Sequence, residues 1–239
     1  MLNFAKRNFK ELIRDPLSLI FAIILPLFLL FIFQIIDIPS ESYELKNFTP
    51  GIIVFGFGFI TLFTCMLVSK DRSSSLLIRL GVSPMKSSDY IFGYTLSLIP
   101  LIIIQNILFF TLAIILGLVF NINIIFTILV SIIIGIFYIA VGVLIGSCFN
   151  EKAAPPVSSI IIQLICFTSG MYFPKELVGN VFSKICEILP FESSLNIIKG
   201  VMNNSEIGLR SILTFTIYTL ITIVISTIIF NKKMVSDNK

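Results

Sequence analysis

Histidine is missing from this 239-residue chain altogether, and charge is scarce, with 13 acidic and 17 basic residues making up 13% of the sequence. The first absence excludes a His-based nucleophile pair and removes the commonest ligand of metal sites. The four cysteines, Cys65, Cys148, Cys166 and Cys186, show no CxxC spacing, and only Cys186 falls in an outer segment, so a structural disulfide lacks a second partner there. No GxxxxGK[ST] loop occurs, so the chain does not cradle nucleotide phosphates in that way. No metal and no cofactor are therefore expected on this chain. What fills the sequence instead is apolar: 56% hydrophobic residues and a mean hydropathy of +1.04, which no soluble globular domain carries.

A bilayer core of roughly 30 Å takes about 20 apolar residues per helix. Six such runs are present, at 16–36, 50–69, 91–120, 124–149, 157–173 and 211–230. Their period is helical or continuous, without the alternation of barrel strands. The expectation is an all-α integral membrane domain over residues 1–239, with an even number of spans and both termini on one side. Of the 17 bases, only Lys46, Lys175, Lys184, Lys199 and Arg210 fall on the other side, so the termini are expected in the cytoplasm and the protein in the plasma (inner) membrane. The net charge of +4 then reflects topology, and nucleic acid has no place in the account.

Residues 1–15 read as an interfacial helix. Leu2, Ala5, Phe9, Leu12 and Ile13 share one arc and Asn3, Lys6, Arg7, Lys10 and Arg14 another, with Phe4 as the exception. Such a helix lies on an anionic leaflet through both faces, with membrane lipid as its partner. The first span carries Pro26, and the second follows Thr49-Pro50-Gly51. The third holds Gln105 and Asn106, the most polar point inside any run. These amides, with Gln163 in the fifth span and Thr219 and Thr222 in the sixth, are candidates either for interhelical hydrogen bonds or for a substrate pathway. In the fourth span Ser131, Gly135, Gly142 and Gly146 form a stripe of small residues suited to close helix packing. Between the last two spans, residues 174–210 are expected to form outer helices. Leu177, Val178, Val181, Phe182, Ile185, Ile188 and Leu189 cover about 140° of one helix, and Leu195, Ile198 and Met202 mark a second. Both are too short to span, and sit half-inserted or as a re-entrant hairpin.

The largest polar segment on the basic side is 70–90. It reads as a short helix with Asp71 or Ser73 as N-cap and Gly81 and Pro84 as its stop. Arg72, Leu76, Arg79 and Leu80 share a face of that helix. The segment is either a plain connection or a knob for a cytoplasmic partner. Every acid and base falls in loops, tails or interfacial ends under these boundaries. Ion-driven pumps keep charge inside the membrane, so energy for uphill transport would arrive from another polypeptide. A passive channel or secondary carrier remains as the alternative. An intramembrane enzyme is the more distant one, because no nucleophile–base constellation stands out.

Four stretches carry a resemblance along the whole chain: Arg14-Asp15-Pro16 after the interfacial helix, LGVSP at Leu80–Pro84, SGMYFPKEL at Ser169–Leu177 and LPFESSLNIIKGVM at Leu189–Met202. In order and spacing the chain resembles the membrane subunit of ABC-2-type exporters. The resemblance implies six spans, a coupling helix between spans two and three, and a homo- or heterodimer with a second permease copy or paralogue. It also implies a soluble ATPase subunit that holds ATP and Mg. Asp71, Arg72, Leu76, Arg79 and Leu80 would then meet the ATPase. Relatives often open this segment with Glu, a base and Gly, whereas here it reads Lys70-Asp71-Arg72-Ser73. A pathway without fixed charge suits an apolar or amphipathic cargo, such as a drug, an antimicrobial peptide or a lipid.

Overall fold

The computed structural model describes residues 2–36, 41–74, 87–172 and 179–237. The described residues contain helices and no strands. They run as α1 (Leu2–Ile13), α2 (Pro16–Ile35), a 3-10 turn (Glu41–Tyr43), α3 (Leu45–Ser73), α4 (Ser87–Ile115), α5 (Asn123–Cys148), α6 (Ala154–Thr168), α7 (Asn180–Ile188), α8 (Pro190–Asn203) and α9 (Leu209–Asp237). Four stretches are long and apolar enough to cross a bilayer, at Leu45–Ser73, Ser88–Ile115, Asn123–Cys148 and Leu209–Lys233. The apolar parts of α2 and α6, at Leu19–Ile35 and Ala154–Thr168, are shorter.

The bundle is built around α3, which touches α1, α2, α4, α5, α6 and α8. Its side chains are buried along nearly the whole length, from Phe48 to Asp71. Such a position requires neighbours that approach closely, and α5 supplies them through its small residues. A methyl group on Gly142 would lie 2.6 Å from the Thr61 carbonyl oxygen, and one on Gly146 would lie 2.7 Å from that of Cys65. Gly135 instead faces Ile102 of α4, and Ser131 is fully buried with its hydroxyl donated to the Ile128 carbonyl. The stripe thus meets two helices.

Three prolines lie inside described helices, Pro26, Pro50 and Pro100, and for the first two a side-chain amide meets the carbonyl freed one turn earlier. Pro26 of α2 cannot donate to Ala22, and Gln105 Nε2 of α4 donates to that oxygen at 3.2 Å. Pro50 of α3 cannot donate to Lys46, and Asn203 Nδ2 of α8 donates there, also at 3.2 Å. The second case corrects an expected boundary. The helix does not begin after Pro50 but five residues earlier, at Leu45, because a side-chain amide supplies the bond that the proline cannot.

α1 departs from its expected face. Phe4, the exception in the sequence pattern, is buried with Ala5, Asn8 and Leu12, while Leu2 and Ile13 are exposed. The helix divides into sectors, one packed on the protein through Phe4, Asn8 and Leu12, and an adjoining apolar one left uncovered. Phe4 meets Tyr90 and Tyr94 edge-on, with ring centroids 5.5 and 5.1 Å apart.

At the other end of the bundle the outer helices separate in role. α7 buries only Cys186 and leaves Val181, Ile185 and Ile188 exposed, so much of the expected apolar arc faces away from the protein; the first part of that arc, Leu177 and Val178, lies outside the described residues. α8 is inserted among α3, α5 and α9, with Leu195, Ile198 and Met202 all buried. This helix packs into the bundle, whereas α7 lies on its surface.

These contacts predict unequal glycine tolerance. Gly142→Ala pushes a methyl against helix backbone and should cost about 1–3 kcal/mol. Gly208→Ala, with nothing within 4 Å of the added carbon, should stay within about 0.5 kcal/mol of the parent. Thermal unfolding in detergent of the two variants checks this, and equal melting temperatures would contradict the packing.

Candidate functional site

The last turn of α3 carries four consecutive polar residues, Lys70, Asp71, Arg72 and Ser73. Together they bond four other parts of the chain, two of them reaching α1. Lys70 Nζ is 2.6 Å from Glu11 Oε1 of α1. Asp71 accepts from Arg7 Nη2 of α1 at 2.6 Å and from the Tyr94 hydroxyl of α4 at 2.8 Å. Arg72 Nη1 donates to the carbonyls of Gly146 and Ser147, in the last turn of α5. Ser73 donates to Glu151, in the turn between α5 and α6, at 2.7 Å.

These are not equivalent contacts. The Asp71 side chain is 1% exposed, whereas its partner Arg7 is 35% exposed. A buried carboxylate is costly unless its oxygens are filled, and here one oxygen takes the guanidinium and the other the phenol. Arg7 also bonds Asn8 Oδ1 at 3.2 Å, and Asn8 Nδ2 is buried without a hydrogen-bond partner. Arg72 works differently. The final carbonyls of a helix lack intrahelical donors and carry the negative end of its dipole, so a guanidinium there both caps and neutralises.

The expected N-capping by Asp71 or Ser73 is not what occurs. Both lie inside the final turn of α3, with their side chains committed to tertiary partners, because α3 continues through them to Ser73. Arg72 is likewise turned onto α5. Leu76, Arg79 and Leu80 fall outside the described residues. The turn therefore joins four elements immediately ahead of residues 75–86.

The remaining sequence candidates are dispersed. Gln105 makes the interhelical bond to Ala22 described above. Asn106 bonds its own helix at the Ile102 carbonyl, 2.8 Å away. Thr219 donates to Phe215 on its own helix at 2.7 Å, and Thr222 is half-buried. Gln163 is exposed on α6, where with Ser159 it lines a groove of about 550 Å³. The facing wall comes from Leu25 and Leu29 of α2 and from Phe55 and Phe59 of α3.

One residue escaped the sequence reading. Glu192, counted there with the outer segment, lies in the first turn of inserted α8 and is 4% exposed. It stands eleven residues before Asn203, roughly 16 Å along the helix axis. A carboxylate is thus enclosed within the bundle, its Oε1 accepting from Asn196 Nδ2 at 3.3 Å. Nearby in sequence, Ser194 and Tyr138 of α5 share a 2.8 Å hydrogen bond. The structure buries this acid within a segment that the sequence places between the last two spans. The sequence signal was Pro190-Phe191-Glu192, an acid in the first turn of a proline-started helix.

Removing the Asp71 charge should release α1. Asp71→Asn leaves Arg7 without its carboxylate, a loss of about 1.5–3 kcal/mol for a charge-assisted bond. A cysteine at Ala5, introduced after replacement of the native cysteines, should resist maleimide in the parent and react in the Asp71→Asn variant. Continued protection would show that Asp71 does not hold α1.

Acid should loosen the same helix. The bond from Lys70 holds the Glu11 carboxyl below its ordinary range. A depressed carboxyl stabilises the fold above its unfolded pKa, and that contribution fades as pH falls through the folded value. Amide protection in α1, corrected for the intrinsic slowing of exchange in acid, should therefore drop as pH falls through the folded carboxyl's lowered range, and Glu11→Gln should remove that step. An unchanged acid response in the variant would place the sensitivity elsewhere.

A family model of ABC-2 type transporters matches residues 2–204. A comparison with curated proteins finds no match. The matched stretch takes in α1, the junction at the end of α3 and inserted α8, together with the apolar helices between them. The chain belongs to the ABC-2 type transporter family, as a multi-pass membrane permease domain.

Proposed function

We propose that this permease is the membrane subunit of an ATP-driven exporter, powered by a separate soluble ATPase that holds ATP and Mg. The observation that carries the reading is the four-residue junction at the end of α3. Residues 75–86 follow it directly, so a displacement of that segment pulls on α1, α4, α5 and the α5–α6 turn together. Asp71 and Arg72 act in this reading as the internal linkage, and Leu76, Arg79 and Leu80 as the surface that the ATPase engages. The α1 end of the bundle is then cytoplasmic, α2 and α6 complete six spans in the plasma membrane, and the uncovered apolar sector of α1 rests on lipid.

A second copy or a paralogue completes the pathway. Ser159 and Gln163 stand one turn apart on the exposed side of α6, whose other polar residues, Ser158 and Thr168, are buried. Polar groups in a span face protein or water in preference to lipid, so this side of α6 suits a partner permease across the groove. Apolar walls with a few amide and hydroxyl groups suit an apolar or amphipathic cargo such as a drug, an antimicrobial peptide or a lipid.

Co-expression with its ATPase tests the reading. The two chains should copurify, and proteoliposomes containing both should accumulate a lipophilic dye only with ATP. Replacing Leu76 and Arg79 by Ala should leave insertion intact and reduce ATP-dependent accumulation at least tenfold. Ion-driven accumulation by the permease alone, or full activity in the double variant, would overturn it.

A further inference from the structure

We propose that Gln105 is a releasable pin for α2, and that α2 swings about Pro26 to change the width of the groove that it walls. The inference rests on the groove being the pathway, but the pin itself can be measured without transport. α2 packs on the bundle along one face. Among the described residues Ala22, Pro26 and Leu30 are buried, one turn apart, and Leu19, Ile23, Leu27, Leu29 and Phe33 pack partly buried beside them, while Ile20, Phe21, Ile24, Phe28 and Phe31 are exposed. The proline and the carbonyl that it frees therefore both lie on the side packed against the bundle.

Ala22 is fully buried and Gln105 is 1% exposed, so no water reaches the bond between them. In that setting an unfilled carbonyl is expensive. The pair thus holds the helix firmly while it is made. It can nevertheless break without unwinding a turn, because the donor is a side chain on α4 and not the backbone of α2. An Ala at 26 with any apolar residue at 105 would close the same helix with an ordinary backbone bond. Use of a proline with an amide opposite its freed carbonyl creates a contact between two helices instead. The same pairing recurs at Pro50, Lys46 and Asn203, where it joins α3 to α8. Leu25 and Leu29, which flank Pro26, form one wall of the groove, and Gln163 lies on the wall opposite. Release of Gln105 frees that wall to move.

A double-variant cycle isolates the bond. Gln105→Met should lower the melting temperature of the full chain by roughly 2–4 °C. In a Pro26→Ala background it should lower it little, because residue 26 then donates to Ala22. Additive losses would overturn the pin, and this comparison stands even if one single variant folds poorly. A distance measurement tests the swing. Spin labels at Leu25→Cys and Gln163→Cys, with native cysteines replaced, should give a distribution that broadens on Gln105→Met and narrows again with Pro26→Ala. An unchanged distribution in Gln105→Met would overturn the swing, whatever the transport activity. Distances that respond as stated in a chain that transports nothing would keep the pin and reject the pathway reading alone.

Discussion

The pairing of Asp71 is the constraint on which one end of this molecule depends. A carboxylate with 1% of its side chain exposed must have both oxygens filled from the protein. That demand fixes Arg7, and with it α1, and it fixes Tyr94 of α4. The neighbouring residues in the same turn reach further elements for a geometric reason. Successive side chains on an α-helix point about 100° apart, so four in a row sweep most of its circumference. A helix surrounded by the rest of the bundle cannot end on four polar residues without addressing several neighbours at once. Lys70, Asp71, Arg72 and Ser73 do so with α1, α4, α5 and the α5–α6 turn.

Inside the bundle the governing rule is that backbone polar groups find partners without water. Glycines of α5 let α3 approach until backbone oxygens are in contact range of the opposing helix. Pro26 and Pro50 work in the other direction, since they open carbonyls that amide side chains from other helices then fill. Gln105 and Asn203 turn two local defects into tertiary contacts. Their value differs from that of the junction at Asp71: the amides secure single helices at single points, whereas the junction gathers several.

The far end shows how insertion changes the chemistry of a segment. α7 exposes its apolar arc, whereas α8 turns inward and carries Glu192 with it. Tyr138 ties α8 to α5 through Ser194, and the Tyr138 carbonyl accepts from Thr61 of α3 at 3.0 Å, so three helices meet there.

Much of the architecture was legible because it depends on local rules. Apolar length marked the long helices, and the amphipathic pattern ahead of the first apolar run marked α1 as a separate helix. The spacing of Ser131, Gly135, Gly142 and Gly146 identified a packing face, since side chains one or two turns apart share a side whatever they meet. The identity of the partners was not legible. Nothing local distinguishes an Asp that caps a new helix from one that ends an old helix and binds Arg7, sixty-four residues away. Phe4 looked misplaced on an amphipathic wheel because the wheel has one environment per side, whereas α1 has protein, an uncovered apolar sector and water around it. Pro50 looked like a helix start because only Asn203, from the other end of the chain, supplies the missing donor. Glu192 was read only as part of a polar segment, because its burial depends on α8 packing against α3, α5 and α9. The sequence by itself determined which segments are helical and which faces are apolar, because those follow from contacts within a few residues. Tertiary structure alone decided which charge is buried and against what, because burial and pairing depend on segments that the chain brings together only by folding.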